Sequence, residues 1–271
     1  MLRTMDNRTA PAPAPPVRAA ARSRREGTPR IERLCHATGA LLIGSGLLHL
    51  FVLAVDGGPW EGPVSWRKPI TFGVSFGLTL LAVAWISSYL RMGARLRAVL
   101  LGVFAADCVL EVAGITVQAW RGVPSHFNME TPFDTAVSMS LALGGAVLVA
   151  VLSTLTAAAF AHRPDGPAGM ALALRAGFAI LGVGLLSGAA MIARGVYLTR
   201  TGHQLAGYAS TAPLKPLHGV SLHAVLVLPV LARVLDTTSW STRTRLRAVR
   251  TAVGAYALAV AAALAWAAVT Y

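Results

Sequence analysis

Seven apolar runs, each about as long as a bilayer's hydrocarbon core is thick, constrain this 271-residue chain more than any other feature. They fall at about 37–55, 70–90, 98–120, 135–161, 170–194, 217–235 and 251–271. A hydrocarbon core about 30 Å thick needs roughly 20 apolar residues per helix. In hydrocarbon the backbone must satisfy its own hydrogen bonds, so a run of that length is read as a transmembrane helix. Spanning strands would be shorter and would alternate in polarity, and these runs do not alternate. The expected fold is all-α: a polytopic membrane helix bundle of about seven transmembrane helices over residues 34–271. Ahead of it lies a tail, residues 1–33, with PAPAPP at 11–16 and a string of arginines. Such a stretch has too little apolar surface to order itself, and so long a basic region predicts that the first span is an uncleaved anchor.

Charge tells the same story. Only 13% of residues are charged, about half the roughly 25% of a soluble domain. The net charge of +13 would suit a nucleic-acid partner if it formed one patch, but the arginines flank the hydrophobic spans, where orientation signals belong. The expected partner is therefore the lipid bilayer, with no nucleic acid. With the tail in the cytoplasm, 16 of the 24 Lys and Arg residues fall on the inner side. They comprise eight in the tail, Arg91, Arg95, Arg97 and Arg163, and Arg243, Arg245, Arg247 and Arg250. Arg67, Lys68, Arg121, Arg200 and Lys215 fall outside. The positive-inside rule then predicts a cytoplasmic N-terminus and an extracytoplasmic C-terminus. The Ala/Arg/Gly/Val bias points to a high-GC bacterium, hence to a bacterial cytoplasmic membrane. Of the two cysteines, Cys35 precedes the first span and Cys108 lies inside the third, a placement that predicts no disulfide. The chain has no CxxC, CxxCH, HExxH or Gly-rich phosphate loop.

The residues able to carry chemistry cluster towards the outer half. On span three, Asp107 and Glu111 are four apart, with Gly114 and Gln118 on the same helical stripe. Ionisable residues at this depth cost about 2.5–3.5 kcal/mol each even on a lenient scale, so they must face protein or water. His49 in span one and His223 in span six sit at similar depth, as two axial haem ligands or a shared proton or metal site would require. His218, about 140° round the helix from His223, belongs at the outer rim. Two loops roof this region. GPVSWRKPITFG (62–73) carries Trp66, Arg67 and Lys68, and QAWRGVPSHFNMETPFD (118–134) carries Arg121, His126, Asn128 and Asp134. Cations beside aromatics suit an anionic head group or a carboxylate; they equally suit an interfacial belt of snorkelling side chains. Arg194 closes span five on a stripe with Ser187, Gly184 and Gly177, where it is placed to pair with Glu111.

Three blocks, WRKPITFG, RGVPSHFN and LHGVSLHA, resemble segments of uncharacterised multi-pass membrane proteins of high-GC bacteria, and that resemblance implies no activity. Seven spans with scattered histidines are also similar to the ceramidase and adiponectin-receptor-like hydrolases. The metal-binding HxxxH of those proteins is here HxxxxH, and span seven has no histidine. Three functional expectations stand. The first is a polar pocket lined by His49, Glu111, Gln118, Arg194 and His223 that binds a redox cofactor such as haem b or a quinone-like lipid. The second is a proton-coupled small-solute carrier using Asp107 and Glu111, and the third is a non-catalytic scaffold or assembly factor.

Overall fold

The computed structural model describes residues 30–270. The expected disorder of the tail falls almost wholly outside them, and so does Tyr271. The described chain is helical almost throughout: α1 (Arg30–Asp56), α2 (Arg67–Ile86, prolonged by a 3-10 turn at Ser87–Tyr89), α3 (Ala94–Trp120), α4 (Pro132–Ala161), α5 (Ala168–Arg200), α6 (Gln204–Ala209), α7 (Lys215–Leu235) and α8 (Thr242–Thr270). All but α6 are long and apolar enough to cross a membrane, seven spans in all.

The helices outrun the apolar runs that announce them. α1 is helical from Arg30 and α8 from Thr242, so Arg243, Arg245, Arg247 and Arg250 lie on the opening two turns or so of span seven's helix rather than on a connector. Hydrophobicity marks the part of a helix that lies in lipid. The backbone hydrogen-bond ladder continues past it wherever no breaker intervenes. True breaks carry their own signals. α4 opens on Thr131-Pro132, where the threonine oxygen accepts from Asp134 N at 3.1 Å and proline occupies the position where its missing N–H costs nothing. α7 runs unbroken past Pro229, which is buried inside the bundle.

α1 packs on α2 and α3, α2 on α3, α3 on α4, α4 on α5, α5 on α7 and α8, and α7 on α8, with α2 also touching α7. Lipid tails are as apolar as leucine, so close backbone approach rather than a hydrophobic drive joins the spans. Gly39 and Gly46 of α1 face Gly73 and Gly77 of α2, and a Cβ on Gly77 would stand 2.6 Å from Gly39 O. On the other side Gly177 and Gly184 of α5 lie against the backbone of Ala224, Val225 and Leu222 on α7. The small-residue stripe of span five is therefore a packing seam. α8 buries only Val249 and Ala267, and leaves Leu258, Leu264 and Val269 outward.

The two ends of the bundle differ. One end, with the 87–93, 162–167 and 236–241 connections, is the arginine end. There Arg91 pairs with Asp165 at 2.9 Å, Asp165 N donates to Tyr89 O at 2.8 Å, and Arg97 pairs with Glu32. The opposite, loop end carries residues 57–66, 121–131 and 201–214. Both cysteines are free and buried.

Candidate functional site

The carboxylates of span three lie at the middle of α3, facing α4. Asp107 and Glu111 are 7% and 5% exposed, and Gly144 of α4 makes the space for both. A Cβ there would meet Glu111 Oε1 at 2.6 Å and Asp107 Oδ1 at 2.8 Å. Asp107 Oδ2 is buried with no hydrogen-bond partner. Nearby cations at the bundle ends are engaged elsewhere, Arg97 with Glu32 and Arg121 with Asp134. Two carboxylates in one desolvated space cannot both carry charge without a large electrostatic cost.

Two turns towards the loop end, Gln118 is fully buried and donates from Nε2 to Asp134 Oδ1 at 2.9 Å. Arg121 joins both, with Nη1 at 2.5 Å from Gln118 Oε1 and 2.5 Å from Asp134 Oδ1, and it lies over the Phe133 ring. Thr131 Oγ1 donates to Asp134 Oδ2 at 2.6 Å. Asp134 is thus the hub that clamps the C-terminal end of α3 to the start of α4. The sequence marks it only as one polar residue in a polar loop; the TPFD pattern, a threonine with an acid three residues on, is the signal that identifies it as part of a helix start.

His49 is buried and holds a defined tautomer. Nδ1 faces Ser45 O at 2.7 Å, and because a carbonyl only accepts, Nδ1 carries the proton. Nε2 is then the acceptor for Trp120 Nε1 at 3.0 Å. Trp66 lies beside both, meeting Trp120 edge-to-face with centroids 5.1 Å apart, and its Nε1 donates to Asp56 Oδ2 at 2.7 Å. His223 lies elsewhere: it is exposed on α7 and its Nδ1 bonds Gly219 O of its own helix. The two histidines expected to share a ligand do not face one space: His49 is buried beside Trp120, whereas His223 is exposed on α7. The one nitrogen of His49 able to bind a metal is occupied by Trp120. His218 is half-buried against α5, with Nδ1 2.8 Å from Gly184 O and 3.3 Å from Ser187 Oγ. Arg194 is exposed on α5. Equal depth along two helices says nothing about their azimuth, and azimuth decides contact.

The two roof loops are built structures. Ser65 Oγ donates to Pro59 O and Trp60 O, Arg67 Nε to Trp60 O at 3.0 Å, and Lys68 Nζ to Pro63 O at 2.7 Å. In the second loop Ser138 Oγ bonds Ser125 O, Asn128 O and Asn128 N. Asn128 is fully buried, with Nδ2 unpartnered. Phe127 takes a left-handed φ of 60°, a strained choice for an aromatic residue, and its ring fills the space a side chain on Gly195 would need. His126 Nδ1 pairs with Ser125 Oγ at 2.9 Å. Burial, with help from the Lys68 charge, pushes the His126 pKa down to about 3, so this imidazole is neutral at ordinary pH. Below it, a cleft between His126, Phe127, Ser138 and Ile192 has room for about one water molecule.

Among the described residues, no group of three or more His, Cys, Asp or Glu side chains is arranged to hold a metal ion. No family model, no curated protein and no solved structure matches this chain. Fold and composition define the class directly: this is a polytopic α-helical membrane protein with seven spans.

Proposed function

We propose that this protein is a proton-coupled carrier for a small solute, with Asp107 and Glu111 as its protonation sites. One observation carries the reading: two buried mid-span carboxylates share the space opened by Gly144, and one of their oxygens has no partner. A scaffold gains nothing from such a pair, since an unpartnered buried polar atom costs stability. A coupling site needs it, because a proton there is held by the pair alone and leaves when water or solute arrives. The packed bundle is one end state of an alternating cycle. The haem reading drew on His49 and His223 sharing one ligand, and His223 is exposed on α7 while His49 is buried against Trp120. On the distribution of Lys and Arg we place the arginine end in the cytoplasm, in a bacterial cytoplasmic membrane.

Infrared difference spectroscopy of the purified protein in lipid tests the assignment. A protonated-carboxyl band should be present near neutral pH, and should vanish or shift in both Asp107→Asn and Glu111→Gln with the helical fold retained. In proteoliposomes the same variants should abolish solute-driven proton movement. A wild-type protein with no protonated-carboxyl band would remove the proposal.

A further inference from the structure

The seam between α3 and α4 differs on the two sides of the carboxylate pair. Among the described residues, every buried side chain of these helices that carries oxygen or nitrogen lies at Asp107 and Glu111 or on their loop-end side, namely Gln118 on α3 and Asp134 and Ser138 on α4. On the arginine-end side the two helices bury apolar groups, with Leu101, Phe104, Leu152 and Leu155 each at most 2% exposed. Water inside a protein needs polar partners, so only the loop-end half offers it stations. That half is layered. Leu141 and Val137 of α4 lie over Gly114 of α3, where an added Cβ would stand 3.0 Å from Leu141 Cδ2 and 3.6 Å from Val137 Cγ1. Gln118 follows, about 10 Å beyond Glu111 at helical rise. There Asp134 of α4 bonds both Gln118 and Arg121, and the Arg121 side chain, 38% exposed, carries the cluster out to solvent. The two helices cannot part at this end without breaking those bonds. At the other end Arg97 ties α3 to α1 through Glu32, a bond outside this seam.

We propose that the loop-end route to Asp107 and Glu111 runs along the α3–α4 seam, and that the cluster of Arg121, Asp134 and Gln118 is the gate that closes it. Leu141 and Val137 form an apolar layer beneath the gate, resting on a glycine and free to swing aside once the helix ends separate. The inference rests on the carrier reading for the purpose of the gate, though not for the route itself.

The experiment places a thiol at the pair, as Glu111→Cys in the full chain with Cys35→Ala and Cys108→Ala, and times its reaction with a membrane-impermeant methanethiosulfonate. Sealed membrane vesicles of both orientations are used. Glu61→Cys, on the exposed first roof loop, marks which of them present the loop end. Adding Asp134→Asn or Arg121→Gln should speed labelling of the Glu111→Cys thiol from the loop end by about tenfold, the loss of one charge-assisted bond. Labelling from the arginine end should not rise, and Arg97→Gln should not speed labelling from the loop end. Two gate variants are used so that a folding failure in one leaves the other to decide. The proposal is overturned if neither gate variant labels faster from the loop end. It is equally overturned if labelling rises alike from both ends, or if Arg97→Gln acts as the gate variants do, since each would mean a generally loosened bundle. A gate that behaves as expected in a protein with no protonated-carboxyl band would keep the route and remove the proton coupling; the converse result would keep the coupling and remove the gate.

Discussion

A methyl group added to Gly144 would stand 2.6 Å from Glu111 Oε1 and 2.8 Å from Asp107 Oδ1, so the missing side chain is what lets two acids share one place. Gly144→Ala should destabilise the protein by about 1–3 kcal/mol, the usual cost of overpacking. In a Glu111→Ala background the same change should cost much less, since the nearer oxygen is gone. A double-mutant cycle in detergent melts measures this, and strictly additive costs would mean that Glu111 and Gly144 do not meet. His126 makes a prediction about pH. Its pKa is held at about 3 in the fold against an ordinary 6.5. Between those values the unfolded chain binds a proton there and the native chain does not, so stability falls as pH falls through the window. Melts from about pH 7 to about pH 4 should therefore lose less stability in His126→Gln than in wild type. Equal pH slopes would show that the imidazole is not held neutral. Asp107 and Glu111 are legible in the sequence because charge inside an apolar run is conspicuous. Gly144 is not, because a glycine among alanines and valines looks like any other until the facing helix is known.

Glycine seams decide which helices pair. GVSFG in α2, Gly73 to Gly77, is a GxxxG pattern, and its two glycines meet Gly39 and Gly46 of α1. A Cβ on Gly77 would meet backbone, Gly39 O at 2.6 Å, whereas one on Gly44, two residues from Gly46, meets nothing within 4 Å. Gly77→Leu should thus separate α1 from α2 and lower stability by several times the effect of Gly44→Leu, which turns its side chain to lipid. Unfolding in mixed detergent compares the two; similar losses would show that the seam does not hold the pair. The same logic explains the histidines. His49 reaches Trp120 because α1 packs on α3 as well as α2, while His223 is carried to the lipid-facing side of α7. A helix's axial depth follows from residue counting, but its rotation follows from where its small residues meet a neighbour.

At the scale of the whole molecule, an odd number of spans puts Arg30 and Thr270, the ends of the described chain, on opposite faces. The arginine-rich connections then share one face with Arg30, and the two tryptophan-bearing loops share the other. A reporter active only in the cytoplasm should be active when fused near Arg245 and silent when fused after Thr270. The reverse pattern would invert the orientation. The short helix α6 gave no sign of itself in hydropathy. Its residues Gln204 and Tyr208 bond each other at 2.6 Å, and Gln204 reaches Glu130 at 3.4 Å, so the 201–214 connection docks on the second roof loop.

Length and polarity along the chain were sufficient to determine seven spans and the absence of any need for strands, because the bilayer imposes one solution on a long apolar run. They were also sufficient to single out Asp107, Glu111 and the two polar loops as departures from that solution. Which departures meet was decided only in three dimensions. The carboxylates found Gly144 on α4, and Asp134 became the clamp between Gln118 and Arg121. His49 and His223, equal in depth, went to different neighbours. The physical reason is that desolvation acts on each residue alone and is written in order along the chain, whereas contact depends on helix rotation and pairing, which glycine seams set between segments far apart in sequence.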